Sequence, residues 1–334
     1  MGKGRDTLIL GVDLGGTKIL TAVSGAQGKM LSRDHSITPA GEGPEAVVKS
    51  ILESARRALS QARVAAIDLA AVGVGAPGLS NPETGILFTS PHLPGWKDVP
   101  LRDIIERELS RRAFLINDAD AAALGELYYG AGKGARNFIY ITVSTGIGGG
   151  IVIDGELYTG ASGMAGELGH MVIEAEGPRC NCGSRGCWET LASGTALAGE
   201  ARRRIKEGAA TAILEYAGGE LERVTAQAVQ QAAQAGDKLA GELISRVAYY
   251  LGVGLANLVN IFNPELIVIG GGLSNMGDRL LEPAFREAER RAFAQASRAV
   301  RFARAELGRN SGVLGAIAYA LEKIKAEKTG PVPS

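Results

Sequence analysis

All three cysteines of the chain, Cys180, Cys182 and Cys187, fall in one short run, CNCGSRGC, and His170, one of only three histidines, stands just ahead of it. Three thiolates and one imidazole make a Cys3His set, the ligand number and kind that tetrahedral Zn2+ takes in structural sites. Gly183 and Gly186 suit the tight turns needed to fold closely spaced sulfurs onto one ion. The competing reading is a group of buried free thiols or a redox pair, but scattered thiols do not cluster this way and a disulfide leaves one over. Four protein ligands leave no position for water, so such a metal braces the loop and does no chemistry. The acids Glu167 and Glu189 flank the set and would be held in place by it.

The chemistry must then come from elsewhere, and glycine points to where. The chain has 47 glycines, gathered at the ends of apolar runs: GVDLGGT, GVGAPG, STGIGGG, IGGG. Glycine there suggests backbone turned tightly around a ligand. Residues 7–13 (TLILGVD) read as a buried strand ending on an acid, followed by GGTK and a second apolar run, ILTAV. A strand–glycine–strand turn exposes amides beside Lys18 and suits phosphate. It is not a Walker A loop: the order is GGTK, and a strand follows where a helix is required. A second such unit, NFIYITVSTGIGGGIVI, turns at 144–150 with hydroxyls in place of the lysine. The pair suggests a duplicated architecture. NPELIVIGGGLSN gives a third strand running into glycines.

Other elements must position these turns. Residues 44–62 carry a helical apolar stripe, and 100–112 form a second helix with Pro100 in its first turn. Gly73, Gly75 and Gly78 match G-x-G-x-x-G by letter, but LSNPETG after them reads as loop, not the helix of a dinucleotide site. The strand AFLIND ends in Asn117 and Asp118. An acid just past a strand end can face a cleft, and equally Asp118 or Asp120 can cap the helix that follows, DADAAALGELYYG. After the cysteines the chain reads as helices over 193–208, 225–235 and 237–262, then a strand at 266–269, a helix from about 278, a strand near 300–305 and a last helix at 311–325.

Length and charge bound the rest. At 334 residues the chain exceeds the size at which single cores stop growing, about 250–300 residues, and two domains are expected. Lys plus Arg and Asp plus Glu are both 36, so no basic field points to nucleic acid or an anionic membrane. The first apolar run is too short for a signal sequence or membrane span. Clustered metal-type cysteines suggest the cytoplasm. The tail after Ala326 reads as disordered.

Taken together, DLGGTK (13–18), GAPG (75–78), LPGW (93–96), ND (117–118), STGIGGG (144–150), GELGH (166–170), CNCGSRGCWE (180–189) and IGGGL (269–273) resemble the ROK family of sugar kinases over nearly the whole chain. The cysteine motif is the most specific. The resemblance implies an α/β, two-lobed actin-like ATPase (ribonuclease H-like) fold. Its N-terminal lobe spans 1–118, completed by the C-terminal helix at about 311–326. The C-terminal lobe spans 119–310 and contains the zinc loop 167–189. It further implies that ATP phosphates lie against Gly11, Asp13, Gly15, Gly16, Thr17 and Lys18 and against Ser144, Thr145, Gly146 and Gly148. Asp13 stands near Mg2+, and Gly271 and Gly272 lie beside the adenosine. The hexose is assigned to Gly78, Asn117, Asp118, Glu167, His170 and Glu189, with His170 binding zinc through one nitrogen and sugar through the other.

The reaction so implied is ATP-dependent phosphorylation of a hexose at its 6-hydroxyl, foremost glucose. A carboxylate within reach of a sugar hydroxyl can take its proton during phosphoryl transfer, and Asp118 is the candidate. Another hexose (N-acetylglucosamine, N-acetylmannosamine, mannose or fructose) and polyphosphate as donor stay open. The reading from another class is a sugar-responsive regulator. Such regulators carry a helix-turn-helix ahead of the first strand, and here the strand starts by Thr7. The family is commonly dimeric or tetrameric, so a homo-oligomer is expected. One departure stands out: His92 precedes LPGW where many relatives are expected to carry asparagine.

Overall fold

The computed structural model describes residues 7–329. In chain order the elements are β1 (Leu8–Leu14), β2 (Lys18–Gly25), β3 (Met30–Ile37), α1 (Pro44–Ala62), β4 (Leu69–Ala76), β5 (Leu79–Asn81), β6 (Ile86–Thr89), α2 (Leu101–Leu109), β7 (Ala113–Asn117) and α3 (Asp118–Tyr129). There follow β8 (Phe138–Val143), β9 (Ile147–Ile153), β10 (Glu156–Leu157), α4 (Glu189–Ala192), α5 (Gly194–Lys206), α6 (Ile213–Tyr216), α7 (Ala226–Gln234) and α8 (Lys238–Phe262). β11 (Leu266–Gly270), α9 (Asp278–Arg291), α10 (Ala294–Ala299), β12 (Arg301–Arg304) and α11 (Ser311–Thr329) complete the chain.

Two five-stranded sheets carry the architecture, ordered β3-β2-β1-β4-β7 and β10-β9-β8-β11-β12. Counted within its own sheet, each runs third, second, first, fourth, fifth, so the expected duplication is one of topology. In the first, β1 pairs antiparallel with β2 and parallel with β4, and β4 pairs parallel with β7. In the second, β8, β11 and β12 are parallel neighbours.

The chain divides into two compact units. Among the described residues, the first comprises 7–135, Gly150–Gly166 and 305–329; the second comprises Arg136–Gly149 and Glu167–Arg304. The first unit therefore runs past the expected boundary at residue 118. The physical reason is α3, which packs lengthwise on α11. Glycine permits that approach: a Cβ at Gly315 would lie 1.4 Å from the Ala121 carbonyl, and one at Gly125 2.2 Å from the Ser311 carbonyl.

Strand alternation sorts the core of this unit. Leu10, Val12 and Leu14 of β1 enter a cluster with Val47, Ile51 and Ala55 of α1 and Leu101 and Ile105 of α2. Ile9 turns to the opposite face and packs with Val313, Ile317 and Leu321 of α11. Gly11 shares that face, and a Cβ there would meet the Val313 carbonyl and Ile317 at 2.6 Å. Gly73 does the same service in β4, where a Cβ would lie 1.9 Å from the Ala316 carbonyl. The C-terminal helix thus completes the first unit.

Several local expectations need correction. α2 stops at Leu109, three residues early, because Ser110 adopts the left-handed conformation and caps it. The LSNPETG segment is no open loop: β5 and β6 pair as a hairpin, its turn closed by Asn81, whose side chain accepts from the Glu83 and Thr84 amides. α11 continues through Thr329, so the start of the tail expected to be disordered is helical, and its remainder lies outside the described residues.

Candidate active site

Parallel strands direct their carboxyl ends to one edge of a sheet, where ligands of open α/β folds bind. In the first unit Asp13 pairs with Gly75, and Ala76 with Asn117. The ends of β1, β4 and β7 therefore bring Asp13, the GAPG segment and the Asn117–Asp118 pair to the same edge. Asp13 lies on the same face of β1 as Ile9 and Gly11, which aims it at the first turn of α11. A Cβ at Gly312 would sit 2.6 Å from its carboxylate, so glycine leaves the room that Asp13 occupies. Burial, reinforced by the neighbouring Asp118 charge, raises the Asp13 carboxyl to about 7.

Asn117 is the cap of α3. Its side-chain oxygen accepts from the Ala119 and Asp120 amides at 2.8 and 3.3 Å, and its amide donates to the Gly78 carbonyl at 3.3 Å. That corrects the idea that Asp118 or Asp120 caps this helix. Asp118 is its first residue, with Oδ1 accepting from the Ala119 amide at 2.9 Å. Burial raises the Asp118 carboxyl, while the Ala119 amide and the charge of His92 pull it back.

The Gly15–Lys18 turn closes with the Gly15 amide on the Lys18 carbonyl at 2.9 Å. Thr38 braces it from β3's end, its hydroxyl donating to the Gly15 carbonyl at 2.7 Å and its amide to the Thr17 carbonyl at 3.0 Å. Thr17 and Lys18 are exposed, free to meet an anion.

The second unit presents an equivalent edge. The Ser144 amide donates to the Gly146 carbonyl at 2.9 Å, closing the turn between β8 and β9. Gly271, at the end of β11, has φ +87° and lies against Val143, and a Cβ at Gly272 would be 3.4 Å from the Ser144 hydroxyl. The start of α5 joins them. The Gly194 amide donates to the Ser144 carbonyl at 2.7 Å, and the Thr195 hydroxyl to the Thr145 carbonyl at 2.8 Å. Ser144 and Thr145 are exposed, so the turn presents two hydroxyls and bare glycine backbone, groups chemically suited to an anion.

Glu189 ties this turn to the cysteine loop. Its Oε2 accepts from the Ile147 amide at 2.9 Å and fills the space a side chain at Gly146 would need. The loop itself is folded by Gly183 and Gly186, with φ of +95° and +65°. A Cβ at Gly186 would lie 1.6 Å from the Glu174 carbonyl, so the turn requires glycine there. Trp188 anchors the loop, fully buried, its indole N–H donating to the Tyr250 carbonyl at 2.9 Å.

The ligand atoms of His170, Cys180, Cys182 and Cys187 all lie within 4.8 Å of one another. Cys182 and Cys187 sulfurs are 3.7 Å apart, and Cys180 Sγ is 3.6 Å from His170 Nδ1. No disulfide has this spacing. Tetrahedral zinc, with Zn–S of about 2.3 Å and Zn–N of about 2.0 Å, separates its ligands by roughly 3.5–3.8 Å. The four residues fit such an ion. With Nδ1 on the metal side, Nε2 faces the Glu167 carboxylate at 3.9 Å.

Within each unit the structure gathers the expected residues with two exceptions. Gly11 sits in mid-strand under α11, where it serves packing, and Gly148 lies within β9 beyond the turn. Thr38, Gly194, Thr195 and Gly312 were not anticipated. Ser193 and its capping hydroxyl hint at a helix start beside Gly194–Thr195, but nothing local says that this helix meets the Ser144 turn.

The duplicated sheets and the glycine turns at their carboxyl edges define an actin-like ATPase fold. The sequence model of the ROK family matches residues 9–323, and the chain belongs to that family. It is 39% identical to a glucokinase of Halalkalibacterium halodurans, covering 93% of this chain and 94% of that one. Among solved structures it is similar to a ROK family glucokinase from Streptomyces griseus in complex with glucose and AMPPNP, with TM-score 0.83, 34% identity and coverage of 94% and 99%. A ROK hexokinase from Thermus thermophilus matches with TM-score 0.78, 37% identity and coverage of 95% and 99%.

Proposed function

We infer that this chain is an ATP-dependent hexokinase that phosphorylates glucose at its 6-hydroxyl. The observation that carries the reading is Asp118. It is a carboxylate at the end of a parallel strand, beside Asp13 and in the same unit as an amide-rich turn ending in an exposed lysine. A kinase needs that combination: an acceptor for the hydroxyl proton, a carboxylate for the metal that accompanies ATP, and donors for phosphate oxygens. The similarity to named glucokinases supports glucose as the acceptor.

Asp118 takes the hydroxyl proton as the phosphoryl group moves, and Asn117, whose amide is oriented by Gly78, contacts the sugar beside it. Glu167, Glu189 and the His170 Nε2 edge read the remaining hydroxyls. Gly15, Gly16, Thr17 and Lys18 bind phosphate oxygens, as do Ser144, Thr145 and Gly146, while Gly271 and Gly272 line the adenosine. Mg2+, held through Asp13, would neutralise charge on the phosphates. Zinc at His170, Cys180, Cys182 and Cys187 would fix the loop that carries Glu167 and Glu189 and take no part in the transfer. We place the enzyme in the cytoplasm as a homo-oligomer.

The test is a panel of hexoses assayed with ATP and Mg2+. Glucose is expected to give the highest kcat/KM; a clear preference for an N-acetylated sugar would overturn the assignment of the acceptor.

A further inference from the structure

The Gly15–Lys18 turn opens on two glycines, and packing alone demands the second. A Cβ at Gly16 would lie 2.8 Å from His92 Cβ and 3.3 Å from the His92 carbonyl oxygen. Glycine meets that demand and brings a liability. The Gly15–Gly16 peptide can rotate as a unit, since glycine takes positive and negative φ about equally well. The two orientations offer a ligand opposite groups. In a planar trans peptide the carbonyl and the N–H that follows it point in opposite directions. One orientation therefore presents the Gly16 N–H to an anion, and the other presents the Gly15 oxygen, which repels it.

One side chain makes the choice. Thr38 is buried, and its hydroxyl donates to the Gly15 carbonyl at 2.7 Å. The Gly16 N–H is thereby turned away from Thr38, and among the described residues it donates to no other group. The hydroxyl is itself held in place. The Thr38 amide donates to the Thr17 carbonyl at 3.0 Å, and the Ser50 hydroxyl of α1 donates to the neighbouring Ile37 carbonyl at 3.1 Å. Pro39 favours extended backbone at the residue before it, which is Thr38. None of these supports uses the Thr38 side chain, so a substitution at position 38 changes the hydroxyl and leaves its support standing.

We propose that Thr38 is a positioning residue of phosphoryl transfer, its hydroxyl locking the Gly15–Gly16 peptide with the N–H toward the nucleotide phosphates. It acts through the turn and not by contact with either substrate. Without the lock the turn divides between two peptide orientations, of which one is competent, and apparent affinity for the nucleotide falls by the competent fraction. The proposal rests on the kinase reading above, and the experiment separates the two.

Thr38→Val, Thr38→Ser and Thr38→Ala are compared with wild type for kcat, for KM of ATP and of glucose, and for the rise in melting temperature that glucose gives without ATP. Thr38→Val keeps the shape and removes the donor. It is expected to lower kcat/KM for ATP about tenfold or more, while KM for glucose stays within about threefold and the glucose shift is unchanged. Thr38→Ser keeps the hydroxyl and loses the methyl, and should hold kcat/KM for ATP within about threefold of wild type. A role in packing alone predicts the reverse order, with the valine variant near wild type and the serine variant impaired, and that result would overturn the proposal. Loss of the glucose shift in Thr38→Val in step with the loss of ATP turnover would overturn it too, as the mark of general damage. If Thr38→Val does not fold, Thr38→Ala set against Thr38→Ser decides: a kcat/KM for ATP about tenfold lower in the alanine variant supports the lock, and equal values refute it. An inactive wild type would overturn the kinase reading and this proposal with it.

Discussion

At the scale of single residues, the two carboxylates of the first unit lead to opposite expectations. Asp118→Asn keeps the shape but cannot take a proton, so kcat should fall by about 10^2–10^4 while sugar affinity stays within about tenfold; unchanged turnover would remove Asp118 from the role. Asp13 tests electrostatics instead. Its carboxyl is raised from 3.8 to about 7, so between those values the folded chain binds more protons there than the unfolded chain does. Stability owed to this group therefore falls as pH rises through that window, and above about 7 its ionised form is a full cost. Asp13→Asn should then raise the melting temperature relative to wild type more at pH 8 than at pH 5, while abolishing Mg2+-dependent turnover. A stability difference that does not change with pH would refute the assignment. Both residues were legible in the sequence because each ends an apolar run. What could not be read was which residue caps α3, since Asn117, Asp118 and Asp120 all have suitable side chains and only the hydrogen bonds decide.

At the scale of elements, the metal loop and the helix junctions carry the predictions. Cys182→Ser should lose bound zinc, measured by metal content of the purified protein, and weaken glucose binding, because the loop positions Glu167 and Glu189; wild-type metal content would refute the ligand set. Gly254 of α8 faces the buried Trp188, and a Cβ there would fall 2.1 Å from the indole ring. Gly254→Ala should displace Trp188, between Cys187 and Glu189, and raise KM for glucose more than KM for ATP. Glu126 is a different junction. Fully buried, it accepts from the Ala131, Glu306 and Leu307 amides at 3.0, 3.1 and 3.0 Å and from the Ser311 hydroxyl at 2.8 Å, tying the end of α3 to the start of α11. Glu126→Gln turns an amide N–H toward donors and should cost about 2–3 kcal/mol, read from the denaturant midpoint. Periodicity made α1 and α8 legible, and both match their expected bounds closely, whereas α11, buried on successive positions from Val313 to Leu321, runs four residues past its expected end. The junctions were not legible, because a glycine such as Gly315, whose missing Cβ leaves room for the Ala121 carbonyl, and one that turns around a phosphate are the same letter. Gly11 was read as the second kind and is the first.

At the scale of the whole molecule, repetition of the strand–glycine–strand unit made the duplicated topology legible, whereas the return of α11 to the first sheet depends on contacts between segments at opposite ends of the chain. Selectivity for a sugar is likewise a property of the assembled molecule, and it can be measured without turnover. A ligand that binds only the native state stabilises it by RT ln(1 + [L]/Kd), about 2.7 kcal/mol at a hundredfold excess over Kd. Glucose should therefore raise the melting temperature in the absence of ATP, and N-acetylglucosamine at equal concentration should raise it far less. The sugar shift should shrink in Glu189→Gln, which weakens a charge-assisted acceptor of the Ile147 amide as well as the proposed sugar contact. It should persist in Asp118→Asn, which removes the proposed proton acceptor and keeps the side-chain shape. The two variants then separate sugar recognition from transfer, and equal loss of the glucose shift in both would mean that Asp118 contributes chiefly to binding.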